Sequence, residues 1–247
     1  MRDEPAERPR RPAFYAASGG WLGDWWTLLH PPYTAWHLGY VLLGAAVAPR
    51  VDAVTLAATL AAFFLAVGVS AHALDELKGR PLGTRLTDTT LRVAAAVGLA
   101  GAVGIGAAGV ALIGPGLLAF VVVGVLLVLG YNLELFGGRI HTDLGFALAW
   151  GAFPTLTSGW AQGVLLEPAL WLVAGATAGL SWGQRQLSTP ARHVRRRVRQ
   201  VEVRLTGDDG GVDVTDEAWL LRPLERALRA LSWSVVALAI GLVLPRL

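Results

Sequence analysis

His72, Asp75 and Glu76 stand where a long apolar run gives way to a basic loop, in Ser70-Ala-His-Ala-Leu-Asp-Glu-Leu-Lys-Gly-Arg-Pro-Leu-Gly-Thr-Arg85. Offsets of three and four residues place such side chains on one face of a helix. Carboxyl groups at the mouth of an apolar helix are costly, so they are usually paired, bound to a cation or set against a polar substrate. Asp75 and Glu76 are therefore candidate oxygen ligands for a hard divalent cation, with His72 on the same stretch. The plainer alternative is a solvated helix end whose acids pair with Lys78 and Arg80.

Two further groups of polar residues lie at corresponding places along the chain. Tyr131, Asn132, Glu134, Arg139, His141 and Asp143 fall between the fourth and fifth apolar stretches, and Gln184, Arg185, Gln186 and Arg192 follow the sixth. Their guanidinium groups, with Arg80 and Arg85, could clamp phosphate oxygens beside the acids. An apolar interior below such a mouth suits a long hydrocarbon attached to a charged head. His141 and Asp143 have the spacing of an acid/base pair or of a loop cap. His37, alone in an apolar run, is either a packing group hydrogen-bonded to a neighbouring helix or a proton relay.

The elements that must position these groups are helices in a bilayer. The chain is 54% apolar and 16% charged, with 30 glycines, and its apolar runs are about the 17 to 25 residues needed to cross a hydrocarbon core. The expectation is an integral plasma-membrane protein: an all-α bundle of about seven transmembrane spans. The spans are Pro32 to Ala48, Val51 to Ala73, Leu91 to Ile113, Leu117 to Leu135, Leu144 to Ala161, Pro168 to Trp182 and Leu224 to Leu244. Of the 21 basic residues, all but Arg50 and Arg246 fall on one side. The positive-inside rule places that side, with the N-terminus and the large basic loop, in the cytoplasm. The same rule accounts for the basic pI of about 9.8 without nucleic acid as a partner. The absence of cysteine excludes disulfides, thiolate metal sites and cysteine nucleophiles. The first twenty residues do not read as a cleaved signal peptide.

Four parts follow from this pass: a polar tail over residues 1–25, a transmembrane core over 26–187, a basic loop over 188–223 and a last helix over 224–247. Gly114-Pro115-Gly116 forces a reversal that makes the third and fourth spans antiparallel neighbours. Gly98, Ala102 and Gly106 let helix backbones approach closely, within the bundle or at a dimer seam. The run from Pro190 to Gln200 should lie against anionic headgroups. In the same loop, Val201-Glu-Val-Arg-Leu and Val212-Asp-Val-Thr flank a glycine-rich turn and predict a small cytoplasmic β-hairpin after span six. Asp208, Asp209 and Asp213 lack the glutamate of a calcium loop and read as a solvated turn.

The arrangement resembles the UbiA superfamily of intramembrane prenyltransferases. Trp26-Thr-Leu-Leu-His-Pro-Pro-Tyr-Thr-Ala-Trp-His is similar to that family's opening helix. His72 to Arg80 sits where the family carries its first aspartate-rich motif, with Asp75 at the middle aspartate and His72 at the first. Arg80-Pro81-Leu82 matches the Arg-Pro-Leu that follows it. Tyr131 and Gly138-Arg-Ile-His-Thr-Asp-Leu-Gly145 resemble the fourth-helix tyrosine and the fifth-helix glycines. The resemblance covers about Trp26 to Leu187. It implies helices around an apolar cavity, Mg²⁺ on a prenyl diphosphate, and basic residues that take up charge as diphosphate leaves.

The family's second aspartate motif has no counterpart in Trp182-Gly-Gln-Arg-Gln-Leu-Ser-Thr-Pro190, which holds no carboxylate. Two hypotheses follow. In the first, the chain transfers or rearranges a prenyl group from a diphosphate at the cytoplasmic face. His72, Asp75, His141 and Asp143 are then catalytic, Asp75 and Glu76 hold Mg²⁺, and Arg80, Arg85, Tyr131, Asn132, Arg139, Gln184, Arg185 and Arg192 bind substrate. In the second, the same scaffold binds an isoprenoid lipid or a partner complex without catalysis. A transporter would want ionisable groups at mid-membrane, where only His37 lies.

Overall fold

A computed structural model describes residues 11–17 and 19–247, with the backbone alone at Phe136. These residues are mostly helical. Helix α1 (Gly20–Leu28) precedes α2 (Pro31–Ala45). Helix α3 (Ala53–Phe63) runs through a π-helical stretch (Phe64–Ala71) into α4 (His72–Leu77). Next come α5 (Asp88–Ile113) and α6 (Leu117–Asn132). Helix α7 (Asp143–Ala147) passes through a second π-helical stretch (Leu148–Ala152) into α8 (Phe153–Ala161). After α9 (Pro168–Arg197), the strands β1 (Val203–Thr206) and β2 (Val212–Thr215) form the antiparallel hairpin, and α10 (Glu217–Val243) follows.

Local chemistry explains the helix starts. Side chains of Asp52, Thr87, Thr142 and Asp216 accept from backbone N–H groups in the first turns of α3, α5, α7 and α10, satisfying donors that have no partner within the helix. Pro31 and Pro32 open α2, where a missing N–H costs nothing. Between α5 and α6, Gly114 adopts a φ of 126°, a conformation that a side chain would strain. A Cβ at Gly106 would meet Val121, and one at Gly109 would meet Leu117. The two helices therefore run antiparallel, and Gly106 serves packing inside the bundle.

Three helical segments are long and apolar enough to cross a membrane: Ala53–Leu77, Asp88–Ile113 and Glu217–Arg246, with mean hydropathy of 2.1, 2.1 and 2.0. Helix α6 is apolar but shorter. Helix α2 has 15 residues, about 22 Å at 1.5 Å per residue, and is largely buried by other helices. Trp36, Tyr40 and Val41 on it are fully buried, and it packs against both α8 and α10.

Backbones touch where glycine permits. A Cβ at Gly44 would lie 2.2 Å from the Thr155 carbonyl oxygen, and one at Gly151 would lie 2.5 Å from that of Thr177. A Cβ at Gly98 would lie 2.8 Å from the Leu65 carbonyl oxygen, in the first π stretch. Thr155 Oγ1 and Thr177 Oγ1 lie 2.9 Å apart and within hydrogen-bond distance of the Gly151 carbonyl, at 3.2 and 3.1 Å, so one hydroxyl donates to the other and the second donates to the carbonyl. His37 Nδ1 donates to the Trp150 carbonyl at 2.8 Å, within the second π stretch. His37 is thus hydrogen-bonded to a neighbouring helix, one of the two roles its setting predicts.

Three departures from the sequence expectations bear on the site. Residues 11–17, expected in a polar tail, pack onto the bundle with Ala13 and Ala16 buried; residues 1–10 lie outside the described residues. The basic run, expected as loop, is helical to Arg197 and contains Pro190 within α9. A cavity of about 310 Å³ lies among α3, α5, α6 and α8, lined by residues such as Ala62, Gly106, Phe120 and Phe153. It occupies the half of the bundle away from Asp75. Its inner margin at Ala66 and Leu99 packs on the cluster of Val67, Val128 and Trp150 that also holds Tyr131.

Alanine in place of glycine ordinarily favours a helix by about 1 kcal/mol. Gly44→Ala is expected instead to cost about 1–3 kcal/mol by overpacking, read as a lower melting temperature in detergent. Gly179→Ala, at an open position of α9, should hold or raise that temperature. Equal behaviour of the two variants would contradict the close contact.

Candidate functional site

Consecutive helical residues project about 100° apart, so Asp75 and Glu76 leave α4 in different directions. Glu76 is fully buried, and its oxygens accept from Leu82 N (2.9 Å), Thr84 N (2.8 Å) and Thr84 Oγ1 (2.9 Å). It ties the loop after α4 back onto the helix, allowing Leu82 and Leu86 to pack with Leu28 and Leu91. Arg80 belongs to the same loop: it adopts a φ of 53°, donates to Leu86 O at 2.6 Å and pairs with Asp88. Arg85 is exposed and pairs with Asp24 at 3.3 Å. Lys78 pairs with Glu134 at 2.6 Å. Thus Glu76, Arg80 and Arg85, expected to face ligand, are committed to the loop. The expected pairing of Asp75 with Glu76 on one cation is not formed.

Asp75 faces the arginine-bearing end of α9, within electrostatic reach of Arg192 and Arg196, and of His141 on the other side. Neither arginine is ion-paired to it among the described residues. Arg192 reaches Thr189 Oγ1 at 3.3 Å, and Arg196 Nε donates to the Pro12 carbonyl at 3.2 Å. On one flank, the rings of His72 and His30 stack at 4.2 Å and 13°. His72 Nδ1 donates to Gly68 O at 3.1 Å, and His30 Nδ1 lies 2.9 Å from the Tyr15 hydroxyl. On the other flank, His141 stacks on Tyr131 at 4.3 Å and donates from Nδ1 to the Tyr131 carbonyl at 3.2 Å. A carbonyl only accepts, so Nδ1 carries a proton in both His72 and His141, and Nε2 lies on the far side of each ring from that bond.

Helix α9 closes the site with an inward stripe of Thr177, Ser181, Gln184 and Ser188, all buried, which runs on at the same spacing to Arg192. Gln184 is 2% exposed, and its Oε1 has no partner among the described residues. Arg185 donates to the Tyr131 hydroxyl, pairs with Asp143 at 2.5 Å and lies over the Phe146 ring. Gln186 adds a 2.8 Å bond to Asp143. Asn132 donates to Val128 O in its own helix at 2.7 Å, and Arg139 lies exposed on the loop before α7. Of the residues marked in sequence, His72, Asp75, Tyr131, His141, Gln184, Arg185 and Arg192 converge, with Asp143 holding Arg185.

Arg196, His30 and Tyr15 complete the site and were not singled out in sequence. Arg196 could have been read from its i+4 spacing after Arg192, and His30 from its place before Pro31-Pro32. Tyr15 carries no such signal. His30 adopts a φ of 47°, a left-handed conformation that costs a non-glycine residue and persists where surrounding contacts enforce it.

The electrostatics favour an anion. Burial, with repulsion from Arg192, pulls Arg196 below the usual guanidinium range, while Tyr15, Asp75 and Glu76 oppose it. The Arg185 hydrogen bond, then that of Gln186, holds Asp143 below the usual carboxylate range. Burial pushes His30 well below the usual imidazole value, with His72, Arg196 and Arg192 adding to the effect. Among the described residues no group of three or more His, Asp or Glu is placed to hold a metal ion. One free carboxyl facing arginines does not make a two-metal diphosphate cradle, because a hard cation there would draw most of its six or so oxygen ligands from elsewhere.

Glu76→Ala orphans three buried donors at about 1–3 kcal/mol each, so it should lower the melting temperature and open residues 78–86 to proteolysis. Wild-type melting and cleavage in that variant would remove the anchoring role. His30 binds its proton more weakly folded than unfolded. Its contribution to stability is therefore complete above about pH 6.5, the unperturbed value, and is lost as the pH falls toward the depressed folded value. Melting temperatures between pH 7.5 and 5 should fall with acidification, and His30→Asn, which tolerates the left-handed backbone, should flatten that fall. Parallel curves for the two proteins would count against it. No family model, curated protein or solved structure matches the chain.

Proposed function

We propose that the chain is a multi-pass plasma-membrane protein of UbiA type, with about seven spans and its arginine-rich end in the cytoplasm. It takes a prenyl diphosphate or related isoprenoid lipid by its charged head. The observation that carries this reading is Asp75 set against Arg192 and Arg196, with Arg185 and Tyr131 beside them, at one end of an apolar helical bundle.

The chemistry follows from the charges. Arg185, Arg192 and Arg196 neutralise phosphate oxygens, and preorganised guanidinium groups act strongly where water is excluded. As the allylic C–O bond breaks, its electron pair leaves with diphosphate and the arginines take up that charge. The acceptor's nucleophilic atom then bonds to the allylic carbon. The proton it loses passes to His141 Nε2 or to Asp75, each set beside the arginines. Asp75 orients Arg192 and Arg196, while Asp143 orients Arg185. Mg²⁺ enters no step here, since Glu76 is committed to its loop.

The second reading, a non-catalytic isoprenoid-binding protein or partner subunit on the same scaffold, is favoured by one observation: the stretch from Trp182 to Pro190, where a second acidic motif would fall, holds no carboxylate. Purified protein supplied with labelled farnesyl and geranylgeranyl diphosphates, with and without Mg²⁺, separates the two. Transfer or diphosphate release that falls roughly a hundredfold in Arg192→Ala/Arg196→Ala, the scale of lost charge-stabilising donors, supports catalysis. Retention of prenyl lipid by native mass spectrometry without turnover supports binding. Neither binding nor turnover, or wild-type activity in both Asp75→Ala and the double-arginine variant, would remove the reading.

A further inference from the structure

Residues 11–17 form neither helix nor strand, yet they lie across the polar site. Ala13 and Ala16 are buried, and a 3.1 Å bond from Ala16 N to Ala13 O folds the segment into a turn. Phe14 packs edge-on to Tyr33 at 6.1 Å, with the Arg229 guanidinium 4.9 Å from its ring centroid. The hydrogen bonds to the rest of the molecule run to side chains. Trp26 Nε1 donates to Tyr15 O at 3.1 Å, Ala17 N donates to Thr27 Oγ1 at 3.1 Å, and Arg196 Nε donates to Pro12 O at 3.2 Å. The Tyr15 hydroxyl meets His30. The segment is thus fastened to α1, α2, α9 and α10 by separable contacts, without a backbone ladder.

Two of those contacts occupy the site itself. Arg196 is one of the two guanidinium groups that face Asp75, and His30 is stacked on His72. An anion that takes Arg196 Nε must displace the Pro12 carbonyl. At the start of α1, Gly19 and Gly20 have φ values of 67° and 82° with no atom near where a Cβ would sit. Two unhindered glycines in this conformation make a joint at which the preceding segment can turn.

We propose that residues 11–17 are a strap that closes the polar site by holding Arg196 and His30, and that it lifts about Gly19 and Gly20 to admit an anionic head. The strap itself is independent of the proposed function; only the identity of the head rests on that reading.

The chain has no cysteine, so single cysteines report access without background. Ser188→Cys, on the inward stripe of α9, should react slowly with a sulfonated maleimide. It should react about tenfold faster when combined with Phe14→Ala/Tyr15→Ala, as expected when a local opening equilibrium is shifted. Thr189→Cys, exposed one residue further on, should react alike in both backgrounds and controls for reagent access, while an unchanged melting temperature shows that the variant is folded. Equal Ser188→Cys rates in both backgrounds overturn the strap. If the strap variant fails to fold, hydrogen exchange on the unaltered chain decides. Amides of Ala16 and Ala17 that open about tenfold or more faster than those of 184–188 support the strap, and equal protection overturns it. Farnesyl diphosphate should slow labelling of Ser188→Cys in the strap variant. Faster labelling in that variant without protection by diphosphate keeps the strap and removes the prenyl diphosphate reading.

Discussion

Backbone contact between α2 and α8 at Gly44, and between α9 and the π stretch at Gly151, is the constraint on which the rest of the molecule depends. Hydroxyl groups in an apolar interior have no water to turn to, so Thr155 and Thr177 bond to each other and to the Gly151 carbonyl. That knot fixes the height of α9 against its neighbours. Ser181, Gln184, Ser188, Arg192 and Arg196 then follow Thr177 in steps of three or four residues. Where the arginines emerge is thereby decided about four to five turns away, by threonines and a glycine on the inner side of the bundle.

The site that results is unbalanced in charge. Asp75 meets two arginines, while the neighbouring Glu76 is absorbed into the loop by three donors. A cluster of this composition stabilises added negative charge better than it assembles a cation site. The cavity among α3, α5, α6 and α8 is a separate space, walled off by Val67, Val128 and Trp150. A hydrocarbon tail running from head to cavity would have to part that layer.

Much of the helical body is readable in the chain because it rests on local signals. The capping residues, the Gly114-Pro115-Gly116 reversal and the hairpin around its glycine-rich turn all depend on a few adjacent side chains. The convergence of Asp75, His72, Tyr131, His141, Gln184, Arg185 and Arg192 could also be anticipated, since each ends an apolar run on the same side. Two things could not. The π stretch from Phe64 to Ala71 resets the turn just before His72, so a face counted at 3.6 residues per turn loses its phase there. The packing of residues 11–17 depends on partners as far away as Arg196 and Arg229, and a seven-residue segment outside any helix or strand gives no periodic sign of them. Glu76 was a different kind of miss: adjacent helical residues diverge, and that alone separates it from Asp75.

Pro190 lies inside α9 between Gln184 and Arg192. It offers no N–H to the carbonyl of Gln186, so the ladder lacks a rung there. The turns bearing Arg192 and Arg196 are consequently joined to the length of α9 that carries Thr177 across one missing hydrogen bond. A helix bends most readily where a rung is missing, so the threonine contacts set the height of these two guanidinium groups while Pro190 sets the direction of the last turns that carry them.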